Sequence, residues 1–263
     1  MRENVVSLRA IEKVFPNGTR GLSPLDLEIE KGELVSLIGP SGCGKSTLLK
    51  VIANLHTPTA GDVRWWGRNF DHVGKDGSRL AFVFQEPTLM PWADTTTNVR
   101  LPLDLDGVPY TEAMTRVPAA LQTVGLSHVA NRFPAQLSGG MKMRVSIARA
   151  LVTRPNLLLM DEPFGALDEM TRNKLDEDMA RLCAEEHLTM LFVTHSLYEA
   201  AFLSTRVIIM AAHPGRIFAE YHIDPGIQRD ESFRMSNQFA EICRDLNRLL
   251  GEASHASALE MAN

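Results

Sequence analysis

Gly39-Pro40-Ser41-Gly42-Cys43-Gly44-Lys45-Ser46 decides how this chain is read. The stretch fits G-x-x-x-x-G-K-[ST] and stands between an apolar run, Leu34 to Ile38, and a segment of helical character, Ser46 to Leu55. That strand-to-helix context is what the pattern needs. Glycines let successive backbone N–H groups turn toward one centre, and the helix start adds positive partial charge there. Lys45 then reaches terminal phosphates and the Ser46 hydroxyl can ligate Mg²⁺. By composition alone such a match arises in roughly 1% of chains of this length, and the correct flanks lower that further.

Outward from the loop, the chain reads as α/β. Val5 to Ile11 is β-rich, and Leu25, Leu27 and Ile29 alternate with Asp26, Glu28 and Glu30, the period of a half-buried strand. The helix after the loop carries Leu48, Leu49, Ile52 and Leu55 on one face. Strand signals return at Asp62 to Trp66 and Arg79 to Phe84, then vanish between about Met90 and Leu151. In that interval two helices are predicted, Thr111 to Val124, kinked or restarted at Pro118, and Met141 to Val152. Strands resume at Leu157 to Met160, Thr189 to Val193 and Val207 to Met210, with a helix from about Glu169 to Glu186. The alternation predicts a parallel sheet with a helical insertion. A final amphipathic helix carries Met235, Phe239, Ile242, Leu246 and Leu250, stopped by Gly251 and followed by a frayed tail.

Composition bounds the rest. With 263 residues, 44% apolar and 22% charged, the chain is expected to be globular with an ample core. Twenty-seven basic against 32 acidic side chains leave a net charge of −5, which disfavours nucleic acid as a partner. Three scattered cysteines do not make a disulfide framework or a zinc site. The longest apolar run, Val207 to Ala212, is six residues, far below a membrane span. From the N-terminal pattern and the length, neither a secretory leader nor a fused membrane domain is expected.

Two further motifs carry chemistry. Leu157 to Met160 ends in Asp161-Glu162, and adjacent strand residues point to opposite faces, so the two acids can do different jobs. Asp161 is placed to hold Mg²⁺ and Glu162 to polarise the attacking water; without the glycine loop the pair would read as an ordinary strand end. Leu137-Ser138-Gly139-Gly140-Met141 opens a helix capped by Ser138, with glycines that permit close approach of a ligand. One glycine loop encloses only one side of a nucleotide, so a second copy could close the other side with this surface.

From about Val5 to Ile223 these residues resemble the nucleotide-binding subunit of an ABC transporter. The resemblance implies a P-loop NTPase fold: a RecA-like parallel sheet core, an antiparallel β subdomain, and a helical subdomain inserted at about 87–154. The cassette would occupy 1–230 and a C-terminal helix and tail 231–263. It implies that ATP with Mg²⁺ is held along Gly39 to Ser46 and by Thr47, and capped in trans by Ser138, Gly139 and Gly140 of a head-to-tail partner. Met141 stands where the family usually has Gln. Gln85 resembles the glutamine that reaches Mg²⁺ and the water, and His195 the histidine at the γ-phosphate. Asp168, in Gly165-Ala166-Leu167-Asp168, resembles the acidic residue of the D-loop; it also suits a simple helix cap. Phe15 lies where the family stacks an aromatic on adenine, although a strand-end Phe also suits the core. Cys43 either faces the phosphates or is there because it is small.

Gln85 to Trp92 (QEPTLMPW), Leu137 to Leu151 and His213 to Ile217 resemble importer ATPases of the nitrate, sulfonate and taurine group. That group implies uptake of a small anion through integral membrane permease subunits, fed by a periplasmic or extracellular binding protein. The ATPase would sit at the cytoplasmic face of the membrane as a homodimer or a dimer with a paralogue. Leu89, Met90 and Trp92 suit a permease-docking surface, with Trp92 equally able to pack inward. The competing reading is a soluble ABC-type ATPase not coupled to transport, which usually carries paired cassettes or a coiled-coil insertion. A non-hydrolysing regulatory module is disfavoured by the presence of Glu162, Gln85 and His195.

Overall fold

In the computed structural model, which describes residues 3–75, 77–165 and 167–261, strand β3 (Leu34–Ile38) lies inside a sheet and is buried at every position. Its neighbours are β7 (Thr189–Val193) on one side and β8 (Arg206–Ala211) on the other, both parallel to it. The full sheet runs β5-β6-β7-β3-β8-β9, with β5 (Leu80–Val83), β6 (Leu157–Asp161) and an antiparallel edge strand β9 (Arg216–His222). Five of these six strands are parallel, and Leu157 to Asp161 and Thr189 to Val193 are wholly buried, as expected for strands covered on both faces. A second, antiparallel sheet joins β1 (Asn4–Val14), β2 (Arg20–Glu30) and β4 (Ala60–Trp65) in the order β2-β1-β4. On β2 the alternation holds: Leu25, Leu27 and Ile29 face inward and Asp26, Glu28 and Glu30 do not.

Helix α1 (Lys45–Ile52) is packed between the two sheets, with Leu48, Leu49 and Ile52 excluded from solvent. Each such side chain contributes about 1.5–3 kcal/mol of burial. The helix is shorter than its periodicity suggests. Asn54 turns the chain at φ 56° and leaves Leu55 51% exposed, while the buried Trp65 indole donates to the Ile52 carbonyl at the helix end.

Between β5 and β6 lie α2 (Thr95–Leu105), α3 (Tyr110–Thr123) and α4 (Gly139–Leu151), with no strand among them. Pro118 neither ends nor restarts α3. Its own position is exposed, and the buried spine Ala113, Val117, Ala120 and Leu121 carries the helix through it. Helix α5 (Glu169–Glu186) joins β6 to β7, α6 (Leu197–Leu203) joins β7 to β8, and α7 (Glu231–Arg234) precedes α8 (Asn237–Met261).

Helix α8 corrects two expectations. Met235 lies before it and is 83% exposed, and Gly251 does not stop it. The segment expected to fray is helical through Met261, because Ala253 and Ser257 are buried against the sheet, and tertiary packing overrides the glycine. Among the described residues no helix is long and apolar enough to cross a membrane.

Candidate functional site

β5, β6, β7 and β3 are neighbours in the sheet, so the loops that follow them emerge side by side at its C-terminal edge. This is where ligands bind in open parallel sheets. The four loops begin at Phe84, Glu162, Thr194 and Gly39, and each brings one or more of the expected residues.

After β3 the chain turns through Gly39 (φ 154°), Gly42 (φ 77°) and Gly44 (φ 91°). At Gly39 a Cβ would stand 2.5 Å from the Met210 carbonyl oxygen, and at Gly44 2.7 Å from that of Gly21, so both backbones pass too close for any side chain. Gly44 precedes α1 and offers no side-chain cap, and the first intrahelical bond is Leu48 N–H to the Gly44 carbonyl. The N–H groups of Lys45, Ser46 and Thr47 therefore lack helical acceptors and suit an anion. Lys45 is 5% exposed and donates from Nζ to the carbonyls of Gly39 (2.8 Å) and Pro40 (3.1 Å). A buried cation held by two neutral carbonyls and the Cys43 sulfur, with no carboxylate among these partners, is poised for a phosphate. Ser41 and Gly42 are exposed on the crest of the loop. Cys43 is fully buried beneath it, and burial pushes its thiol up, so its small volume rather than a reactive thiolate fits this position.

The two acids have different partners, but not by strand alternation: Asp161 ends β6 and Glu162 already lies beyond it. Asp161 is 4% exposed; burial pushes its carboxyl up, opposed by a 2.8 Å hydrogen bond from Ser46 Oγ. That donor set is all oxygen and contains a desolvated carboxylate in need of positive charge, which fits Mg²⁺ with phosphate and water completing its shell. Among the described residues no group of three or more His, Cys, Asp or Glu forms a metal cluster.

Glu162 takes a left-handed backbone (φ 50°), fixed by its N–H donating to the Val193 carbonyl at 3.0 Å. Its two carboxylate oxygens have different partners. His195 Nε2 lies 2.6 Å from Oε1, and Gln85 Nε2 donates to Oε2 at 3.1 Å. Three loops thus meet at one carboxylate, and the structure brings Gln85, Glu162 and His195 together as the sequence order suggested.

Phe15 follows β1 and is half-buried rather than in the core. Its ring covers Gly21, whose carbonyl in turn packs on Gly44, so the ring stands beside the glycine loop. Asp168 caps α5, accepting from Thr171 N–H at 2.9 Å, and that bond holds its carboxyl below the usual range. Ala166 lies outside the described residues.

Ser138 caps α4, accepting from Met141 N–H at 3.2 Å; with Gly139 it is exposed. Among the described residues no hydrogen bond joins Ser138, Gly139 or Gly140 to the glycine loop. Met141 packs partly against the helical core. Residues 87–94 are held from beneath by side chains that sequence reasoning did not single out. Arg149 donates to the Pro87 and Thr88 carbonyls at 3.0 Å, and the fully buried Asn98 amide donates to those of Met90, Ala93 and Asp94. Trp92 is then turned outward, 76% exposed.

A second network was not legible in the sequence. Glu199 on α6 is 5% exposed, accepts from the Thr194 hydroxyl and lies 3.3 Å from Arg172 Nε. Thr194 Oγ1 accepts from Ser196 N–H at 2.9 Å, so Glu199 pins the backbone on both sides of His195. Arg172 also donates to the Leu167 carbonyl at 2.7 Å, tying the loop after Glu162 to the loop that carries His195. Glu199→Gln keeps an acceptor for Thr194 but removes the charge facing Arg172. We expect turnover to fall about tenfold to hundredfold through misplacement of His195, with nucleotide affinity unchanged; equal loss of both in a binding and turnover assay would place Glu199 in folding alone.

Comparison with known proteins places the chain beside one family. The family profile described as "ABC transporter" matches residues 22–165. The bicarbonate transport ATP-binding protein CmpC of Synechococcus elongatus is 48% identical over 216 residues, which cover 80% of this chain and 32% of that protein. The chain thus spans about a third of that relative's length. The taurine import ATP-binding protein TauB of Rhizobium johnstonii is 42% identical, covering 84% of this chain and 85% of its own. A solved dimeric, post-hydrolysis ATP-binding cassette bound to ADP and Pi superposes with a TM-score of 0.74 at 33% identity, over 83% of this chain and 99% of that one.

Proposed function

The chain belongs to the ABC transporter family, and on that premise we propose that it is the ATP-hydrolysing subunit of an importer, working as a pair of cassettes around two ATP molecules. The observation that carries this reading is the Glu162 carboxylate, held at both oxygens by His195 and Gln85 beside the Ser46–Asp161 pair and the glycine loop. In this reading Lys45 and the N–H groups of Lys45, Ser46 and Thr47 bind the phosphates, Phe15 stacks on the base, and Ser46 and Asp161 hold Mg²⁺ with Gln85. When bound, Mg²⁺ neutralises charge on the β- and γ-phosphate oxygens. Glu162 accepts the proton of the attacking water. His195 orients that water and the γ-phosphate, and Gln85 couples both to the helices inserted at about 87–154.

In this reading residues 1–230 are the working cassette and 231–263 the appended C-terminal helix and tail. Closure of two cassettes moves the inserted helices, and the outward Trp92 segment transmits that movement to integral membrane permeases. Relatives named for bicarbonate and taurine transport support a small anion of the nitrate, sulfonate or taurine type as the cargo. A periplasmic or extracellular binding protein would deliver it, and the cassette would act at the cytoplasmic face of the membrane.

The test begins with Lys45→Ala. Losing a charge-assisted set of phosphate contacts is expected to weaken ATP binding by about tenfold to hundredfold, read by titration calorimetry on the full chain. Parental affinity in the variant would remove Lys45, and with it the phosphate role of the loop. Stimulation of ATPase by candidate anions in liposomes carrying the co-purified permease and binding protein then identifies the cargo.

A further inference from the structure

The turn between β8 and β9, residues 212–215, touches the glycine loop on one side and helix α8 on the other. On the loop side the approach is backbone to backbone. A Cβ at Gly215 would overlap the Cys43 carbonyl and stand 2.5 Å from the Gly21 carbonyl oxygen. The Gly215 carbonyl accepts from Ser23 N–H at 2.8 Å, and just upstream the Met210 carbonyl backs Gly39. The end of β8 and the turn together therefore form the rear wall of the loop, Met210 at its first glycine and Gly215 at Cys43.

On the other side, α8 grips the two ends of the same turn. Ser257, 6% exposed, accepts from Ala212 N–H at 2.8 Å and donates to the Ala253 carbonyl at 2.8 Å. Glu260 Oε2 lies 2.5 Å from Arg216 Nη1. Ala212 is itself 2% exposed, so without Ser257 its N–H would be buried and unpaired. His213, between the two grips, is held at φ 61°, a conformation that persists only where its surroundings impose it.

We propose that the last two turns of α8 are a positioning element for the nucleotide: Ser257 and Glu260 hold the 212–215 turn, and the turn sets the geometry of the glycine loop. Neither residue reaches a phosphate. Their effect runs through the backbone of Gly215 and Cys43. The inference rests on the reading of that loop as the ATP site.

The experiment measures the Kd for ATP with Mg²⁺ on the full chain, alongside kcat at saturating ATP and the melting temperature. Ser257→Ala leaves a buried N–H unpaired and is expected to raise Kd about three- to tenfold, with kcat at saturation unchanged and Ser257→Thr restoring the parental Kd. Glu260→Ala, at an exposed position, is expected to shift Kd in the same direction by a smaller factor. It keeps the question open to measurement if Ser257→Ala does not fold. A purely structural helix would lower the melting temperature and leave Kd within twofold of parent in both folded variants, and that result would overturn the proposal. A parental chain that binds no ATP would instead overturn the reading of the loop, a separate outcome visible before any variant is made.

Discussion

Glu162→Gln is expected to reduce ATP turnover by about 10²–10⁴-fold, the usual contribution of a positioned general base. The geometry argues for so large a loss. Both carboxylate oxygens are engaged, Oε1 by His195 and Oε2 by Gln85, so the side chain is held in one orientation. Glutamine has the same length and keeps the backbone at φ 50° with its N–H bond to Val193, so folding is not the cause of the loss. It offers a single oxygen where two were used, and an amide that cannot take a proton. ATP affinity is expected to stay within about twofold of parent, because the lost function is realised only in the transition state. With hydrolysis blocked and binding intact, ATP is expected to hold two copies together, visible as a shift to dimer on size exclusion. Turnover within a few-fold of parent would reassign the base.

How much of this was legible in the sequence follows the range of each interaction. The loop from Gly39 to Ser46 and the pair Asp161-Glu162 are local patterns whose chemistry is set by neighbours in the chain, and both lie where the pattern put them. Gln85 and His195 became readable only as members of an ordered set, since a lone loop Gln or His carries little signal. The Arg172–Glu199 pair and the seating of Gly215 on Cys43 join residues far apart in sequence with no periodicity to mark them, so only the folded chain reveals them. Two of the misread elements share one cause. Gly251 and Pro118 are helix breakers by propensity, yet buried Ala253, Ser257, Val117 and Ala120 hold both helices together. Leu55 failed in the opposite sense: its spacing fitted the α1 stripe, but the turn at Asn54 carried it into solvent. Trp92, for which inward and outward packing were equally readable, is placed outward because Arg149 and Asn98 fix the backbone beneath it.

Ser138→Arg is expected to abolish hydrolysis, by at least about 10²-fold as for loss of a preorganised charge-stabilising contact, while leaving nucleotide binding to the single chain intact. The reason lies in what the exposed start of α4 lacks. A Cβ on Gly139 would meet nothing within 4 Å, and its φ is not in the left-handed region, so nothing in its own chain demands glycine there. Glycine at such a place serves a close approach from outside. The Ser138 hydroxyl caps Met141 N–H, and the helix start it opens is exposed and carries positive partial charge. A phosphate presented by the glycine loop of a second copy has the matching charge. Arginine at 138 would also remove the cap, at about 0.5–2 kcal/mol, so a melting curve must accompany the assay. Mixing distinguishes the two effects. A Ser138→Arg chain paired with a Lys45→Ala chain contains one composite site with an intact loop from the first and an intact helix start from the second. Recovered turnover in the mixture, where each variant alone has none, is expected only if the site is shared head to tail. Parental turnover in Ser138→Arg alone, or no recovery from two folded variants, would show that each chain hydrolyses without its neighbour's α4.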